Sequence, residues 1–260
     1  MSDLSIDFTG QKVVVTGASR GIGYAIAKAF AQSGAETVIV SSGPDIQDAA
    51  KTLSGEVGNL VSGVQCDITD AKNVRAIFEE IGVLDVLIAN AGLERITPIT
   101  DVSQKTEATF RRIIDINVIG TYLTTREAMR NMAKGGRIVI SSSVWGKSAI
   151  GNFSAYIASK HANIGFMRSI SRELGPKGIR VNCVCPGWVQ TTAAMLSLEK
   201  IASEDGRPKQ DLLDEITATQ CIEGLQKPDD VAQPYLFLAS PMAENITGQS
   251  LNVDRGEFLG

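Results

Sequence analysis

The sequence predicts an α/β protein built on a doubly wound, parallel seven-stranded sheet in a three-layer αβα arrangement. Three observations carry this. Short β-branched runs alternate with segments of helical apolar period along the 260 residues, the central runs are apolar throughout as burial on both faces requires, and a glycine turn joins the first strand to the first helix.

KVVVT (12–16) reads as the first strand, and GYAIAKAFAQSG (23–34) follows with apolar residues at helical spacing and a terminal glycine suited to a C-cap. TVIVS (37–41) is the second strand, succeeded by a polar helix from about Asp45. LVSGVQ (60–65) precedes a helix from about Asp70 to Ile81, and VLDVLIAN (83–90) precedes a long helix running through Asn117 to Met132. RIVISS (137–142), a helix from about Phe153 to Leu174, IRVNCVC (179–185) and SLNV (250–253) complete the alternation. Neither a composition break nor a repeat marks a linker, so residues 1–260 read as one domain. The charged, partly helical insert between Thr191 and Lys227 stands where a strand is expected; loops of that length in compact domains are usually functional, and this one reads as a substrate lid.

Composition narrows the function. The net charge is −4 and no Lys/Arg run exceeds two residues, so the electrostatic footprint of a nucleic-acid binder is missing. MSDLSIDFTG has no apolar stretch of leader length and no later run approaches a membrane span, which makes a cytoplasmic location the expectation. Cys66, Cys183, Cys185 and Cys221 form no CxxC and have no histidines at ligand spacing, so neither a metal site nor a disulfide framework is expected.

TGASRGIG (16–23) lies where a strand hands over to a helix, and its glycines permit a tight turn and close approach to a ligand phosphate, which the free amides and dipole of the helix start would favour. The spacing is Gly17, Gly21, Gly23. GASRG also matches the GxSxG elbow of serine hydrolases, with Ser19 as nucleophile and His161, the only histidine, as base. That elbow needs an oxyanion hole built partly by an earlier strand's loop, and a single strand precedes Ser19.

Chemistry can also be read from a repeated spacing, because Tyr24/Lys28 and Tyr156/Lys160 each stand four residues apart on a predicted helix. A phenol of pKa near 10 is a poor base at neutral pH. An ammonium about 4 Å away contributes about 4 kcal/mol at an effective dielectric of 20, or about three pKa units. Tyr156 and Lys160 follow the strand RIVISS and a glycine-containing loop, near the carboxyl ends of the strands where open α/β folds bind ligands. Tyr24 and Lys28 sit in the first helix with no such context. Ser141, Ser142 and Ser143 offer hydroxyls to a substrate oxygen that becomes negative, Ser141 and Ser143 sharing one face of the strand.

TGASRGIG, NAG (90–92), Asn117 in DINVIG, the serines before Val144, YIASK, PGWVQT (186–191) and ITGQSLNVD (246–254) stand in the order and spacing of the short-chain dehydrogenase/reductase family, which the whole chain resembles, with a likeness to its 3-oxoacyl-reductase-like members. The resemblance implies a Rossmann-type fold, a homotetramer and hydride exchange between a nicotinamide dinucleotide and a ketone or secondary alcohol. It assigns proton transfer to Tyr156 and its tuning to Lys160, which also binds the nicotinamide ribose. Ser143, thirteen residues before Tyr156, orients the substrate oxygen, and Asn117 lies in a kinked helix that holds a relay water. A dinucleotide-binding regulator without turnover is the competing class, and the intact Ser, Tyr, Lys and Asn set argues against it.

The same resemblance assigns cofactor contacts to Gly17, Ser19, Arg20, Gly21, Ile22 and Gly23 in the turn, Ser41 and Ser42 after the second strand, Asp67 and Ile68 at the adenine, Asn90, Ala91 and Gly92 under the adenine ribose, and Pro186, Gly187, Val189 and Thr191 at the carboxamide. The second strand ends in Ser41, Ser42 and Gly43 rather than in a carboxylate that would accept from a ribose 2′-hydroxyl, Glu36 begins that strand instead, and Arg20 supplies a cation, so NADP(H) is favoured over NAD(H). Trp145, Trp188, Met195, Leu196 and Leu198 suggest a partly apolar substrate pocket, to which Glu94 and Arg95 could add polar selectivity. Arg255 stands where the family continues VD with two glycines, so the C-terminal tail is expected to pack differently.

Overall fold

The computed structural model describes residues 6–259; residues 1–5, which begin the stretch read above for a leader, lie outside them. All seven strands pair in parallel in the order β3-β2-β1-β4-β5-β6-β7. They are β1 (Lys12–Thr16), β2 (Glu36–Ser41), β3 (Val61–Gln65), β4 (Leu84–Ala89), β5 (Met132–Ser141), β6 (Arg180–Pro186) and β7 (Ser250–Val253). Side-chain alternation sorts their residues between two cores. Val13, Val15, Ile39, Val86, Ile88 and Val139 pack on one face, while Val14, Val38, Val40, Leu87, Ile138 and Ile140 pack on the other. Burial on both faces is why these strands read as unbroken apolar runs.

Helix α1 (Gly21–Gln32) follows the glycine turn, and α2 (Ile46–Val57) and α3 (Ala71–Ile81) follow β2 and β3. Asp70 caps α3 by accepting from the amides of Lys72 and Asn73 at 3.0 and 3.1 Å. The helix expected through Asn117 to Met132 differs at both ends. It begins as α4 (Gln104–Ile114) under a Ser103 cap, passes through a π-helical turn over Asp115–Gly120, and ends as α5 (Thr121–Ala128). Met132 already pairs with Leu84 as the first residue of β5, so the helix cannot reach it.

Helix α6 (Ser154–Leu174) agrees with expectation, and the insert after β6 forms α7 (Thr192–Asp205) and α8 (Lys209–Ala218). Helix α9 (Pro228–Ala239) has no counterpart in the sequence-based assignment, since Pro234 interrupts its pattern. It packs on α1 on one face of the sheet. Its start carries Pro228 in the first turn, and the Asp230 carboxylate accepts from the Lys227 amide at 2.8 Å.

The β1–β4 junction is where strand order reverses, and ligands of open α/β sheets bind outside the carboxyl ends of strands at such a point. Tyr24 and Lys28, one turn into α1, are directed elsewhere. The Tyr24 hydroxyl donates to Glu56 on α2 at 3.0 Å, and the Lys28 ammonium pairs with the same carboxylate at 2.7 Å. Burial, followed by the Glu56 carboxylate, pushes the Tyr24 phenol up to about 12, with its hydroxyl committed to Glu56. Replacing Tyr24 by Phe should therefore leave turnover within roughly two-fold of wild type, as read by steady-state kinetics.

Candidate active site

The glycine turn holds its shape against the loop after β4. Gly17 has φ +69° and a Cβ there would lie 2.6 Å from Ala91 Cα; a Cβ on Gly23 would run into the Gly17 carbonyl and lie 2.5 Å from Asn90 Nδ2. Both glycines are thus needed for protein to approach protein, not only for approach to a ligand. Asn90 completes the junction: Nδ2 donates to the carbonyls of Thr16 and Gly17 at 3.1 and 3.2 Å, and the amides of Asn90 and Ala91 both donate to Thr16 Oγ1 at 3.1 Å.

This arrangement fits a dinucleotide phosphate. Helix α1 starts at Gly21 with no side-chain cap and no acidic residue in its first turn, so its leading amides remain available to an anion. Ser19 shares a 3.4 Å contact with Ser41, and Arg20 is exposed. Ile22 packs against the core beneath α1. Asp67 accepts from Thr69 and, at 2.8 Å, from Arg112; burial opposes its charge, but these donors outweigh it and hold its carboxyl below the ordinary range. Ile68 is buried against Gly120. Ser19 and His161 are not brought together as a hydrolase pair, since the exposed His161 ring bonds the Ile157 carbonyl of its own helix at 3.0 Å.

Ser143, Tyr156 and Lys160 do converge. Ser143, two residues past β5, accepts from the Trp145 amide at 3.2 Å and lies beside the Tyr156 hydroxyl, whose ionised form it favours. Lys160, one helical turn beyond Tyr156, is buried with its ammonium donating to the Ser141 carbonyl at 2.8 Å and lying 5.4 Å from the Tyr156 ring centre. Asn117 sits fully buried in the π-helical turn. Its Nδ2 donates to the Leu93 carbonyl at 3.0 Å and to Ser159 Oγ at 2.9 Å, while Oδ1 accepts from the Leu93 amide at 2.7 Å. The side chain is thereby a clamp between the loop after β4 and α6, and the π turn is the kink that lets it reach both.

The electrostatics differ from the simple expectation that the lysine lowers the tyrosine. Burial raises Tyr156, the Glu94 carboxylate raises it further, and the Ser143 hydrogen bond only partly opposes them. Tyr156 therefore keeps its proton. Burial also lowers Lys160 to about 8.

A cavity of about 60 Å³ opens above Ser143 and Tyr156, walled by Val144, Trp145, Trp188, Val189 and Ala194, with Glu94 and Gly187 completing it. Trp145 meets Tyr156 and Trp188 edge to face, with ring centres 6.0 and 5.8 Å apart. The insert residues divide: Met195, like Trp188, packs against the core shared by α7 and α8, Leu198 is buried within that core, and Leu196 is 60% exposed. None of the three is among the residues that wall the cavity, because α7 turns its apolar face toward α8. Pro186 ends β6, Gly187 donates to Val253 at 3.0 Å, and Thr191 caps α7 by accepting from Ala194 at 3.1 Å. Gly92 borders both Asn117 and Lys160.

Tyr235, on the unassigned α9, is a site-supporting residue that the sequence reading missed. Its hydroxyl shares a 2.7 Å hydrogen bond with Ser141 Oγ, which donates at 3.0 Å to Asn90 Oδ1. Arg255 adopts φ +57°, its carbonyl accepts from the Cys221 and Ile222 amides, and its guanidinium donates to the Glu223 carbonyl, stitching the C-terminal tail to the segment after α8.

Burial of Lys160 generates a pH signature. Between its folded value of about 8 and the ordinary 10.5, the unfolded chain holds this proton and the folded chain does not, so stability rises with pH across that window. Measured by urea unfolding against Lys160→Met, wild type should gain about 3 kcal/mol from pH 8 to 10.5; equal slopes for the two proteins would contradict this.

The geometry can be set beside known proteins. A family model described as enoyl-(acyl carrier protein) reductase matches residues 17–257. The chain is 34% identical to (+)-borneol dehydrogenase 1 of Salvia officinalis over 98% of this chain and 96% of that protein. It is 32% identical to the 3-oxoacyl-acyl-carrier-protein reductase of Aquifex aeolicus, over 98% and 100% respectively. A crystal structure of a short-chain dehydrogenase from Burkholderia cenocepacia in complex with NADP superposes with a TM-score of 0.83 at 31% identity, covering 96% of this chain and 98% of that one. With its parallel sheet, its serine, tyrosine and lysine at one cavity and these relatives along its whole length, the chain belongs to the short-chain dehydrogenase/reductase family.

Proposed function

We propose that this protein is an NADP(H)-dependent oxidoreductase that moves hydride between the nicotinamide and a ketone/secondary-alcohol pair. The observation that carries the reading is the convergence of Ser143 and Tyr156 on one cavity with the Lys160 ammonium beside the Tyr156 ring. When bound, the nicotinamide supplies or accepts the hydride. The substrate oxygen lies against the Ser143 and Tyr156 hydroxyls, which stabilise the charge that develops there. Tyr156, protonated in its apolar setting, gives its proton to that oxygen during reduction and recovers it during oxidation. Lys160 stabilises the phenolate that this transfer leaves, and Asn117 fixes α6 so that both side chains keep their places.

The dinucleotide would be held by Gly17 to Gly23, Ser41, Ser42, Asp67, Ile68, Asn90 to Gly92, Lys160, and Pro186, Gly187, Val189 and Thr191. Arg20 and the serines after β2 favour a 2′-phosphate, and the NADP complex of the Burkholderia relative is consistent with that. The NAD(H) alternative draws on Asp45, whose carboxylate folds over Gly43 beside the end of β2. Residues 1–260 form a single domain in this reading, with α7 and α8 as its lid. The protein is cytoplasmic, and no helix among the described residues is long and apolar enough to cross a membrane. A homotetramer is part of the same proposal; Phe110, Ile119 and Tyr122 are exposed along α4, the π turn and α5 and would be covered by assembly.

Two measurements test this. Removing the phenol in Tyr156→Phe should lower ketone reduction by roughly 10²-fold or more, and unchanged turnover would overturn the mechanism. Initial rates with NADPH should exceed those with NADH at equal concentration, and Arg20→Ala should raise KM for NADPH by about ten-fold; a strong NADH preference would reverse the cofactor assignment.

A further inference from the structure

Glu94 is out of character with its surroundings. Val144, Trp145, Trp188, Val189 and Ala194 line much of the cavity, and its hydroxyl and carboxyl side chains are those of Ser143, Tyr156 and Glu94. The first two are engaged by the reacting oxygen in the reading above. Glu94 stands on the loop after β4 and lines the same cavity as Ser143 and Tyr156; Ser197 on α7 favours its charged form, and its carboxylate is felt by both Tyr156 and Lys160. Its neighbour Arg95 is exposed and turns its guanidinium back to the Glu94 carbonyl at 2.6 Å.

A carboxylate offers about four acceptor positions. Turned into a largely buried cavity, they are costly unless donors meet them. A simple alkyl ketone carries no donor. A hydroxyl on the carbon next to the carbonyl supplies one.

We propose that Glu94 is a specificity-determining residue that accepts a hydrogen bond from a hydroxyl adjacent to the reacting carbon, so that the preferred substrates are α-hydroxy ketones and the vicinal diols that correspond to them. The inference rests on the hydride-transfer reading and adds the substrate class to it. The carboxylate tilts selection in two ways: it pairs with a hydroxyl donor and repels substrates that carry an anionic group in the same place. A site built to pair with a substrate hydroxyl discriminates strongly against an analogue lacking it, because its own polar group is then left unpaired. Burial raises the Glu94 carboxyl, in keeping with its setting.

The matched pair 1-hydroxy-2-butanone and 2-butanone differs by that one hydroxyl. With NADPH, wild type should favour the hydroxy ketone in kcat/KM by about ten-fold or more, mainly through KM. Glu94→Ala should bring the ratio close to one, and Glu94→Gln, which keeps an acceptor, should retain part of it. The ratio is read within each variant, so it does not depend on how much of that variant is folded. A wild-type ratio near one, or a ratio preserved in Glu94→Ala, would overturn the inference. Binding gives an independent reading, because the chain's two tryptophans, Trp145 and Trp188, both line the cavity. Their fluorescence should respond to the hydroxy ketone at lower concentration than to 2-butanone in wild type, and equally to both in Glu94→Ala. If neither ketone consumed NADPH, the hydride-transfer reading would fall, while the fluorescence preference would still uphold or overturn the role of Glu94.

Discussion

The Asn90 side chain ties together the places on which the site depends. β1 and β4 lie side by side in the sheet but diverge at their carboxyl ends, and the opening between them is where a ligand can enter. Left to itself, that divergence would expose the carbonyls of Thr16 and Gly17. Asn90 donates to both and accepts from Ser141, so one amide joins the glycine turn, the β4 loop and the end of β5. The close fit of Gly17 against Ala91, and of Gly23 against Asn90, follows from the same knot, because any side chain at either glycine would force the turn away from the loop.

The knot also reaches the reacting groups. Ser141 turns its hydroxyl toward Asn90 and Tyr235 while its carbonyl accepts from the Lys160 ammonium on the other side of the strand. A buried ammonium needs acceptors, and here the strand backbone supplies one. Lys160 is therefore positioned by the sheet rather than by an acidic partner, which leaves its charge available to a developing phenolate. Tyr156 and Glu94 complete a small set of titratable groups in an apolar setting. Burial disfavours the charged form of each, so the resting site favours a protonated tyrosine.

All seven strands were legible in the sequence because two-sided burial enforces continuous apolar runs, which periodicity detects directly. The helices with one apolar stripe were legible for the same reason. α9 was not: Pro234 breaks its pattern, although Pro228 and Asp230 at its start carried a capping signal. The span through Asn117 was misjudged in length, since the start at Gln104 is marked only by the Ser103 cap and the end is set by strand pairing at Met132, a tertiary event. Of the site, Ser143, Tyr156 and Lys160 were legible through spacing and strand context. The clamp made by Asn117, the Tyr235 hydroxyl and the inward turn of Glu94 were not, because each depends on which elements meet in space. The expected lowering of Tyr156 by lysine failed for a related reason: the sequence shows the neighbour, but not the apolar cavity that outweighs it.

The two Tyr-x-x-x-Lys pairs show how little a spacing fixes by itself. Helical geometry places both residues on one face in either pair. On α1 that face looks toward α2, where Glu56 takes the phenol proton in a hydrogen bond and neutralises the lysine, so the pair becomes a fastening between helices. On α6 the face looks into the site, no carboxylate among the described residues is paired with the lysine, and a serine hydroxyl lies beside the phenol instead. The tyrosine there keeps a proton it can give to a substrate oxygen, and the lysine keeps a charge it can lend to the phenolate left behind. What separates a fastening from a proton-transfer couple in this chain is thus the third group: a carboxylate that quenches both partners, or a hydroxyl and a strand carbonyl that orient them and leave both free to act.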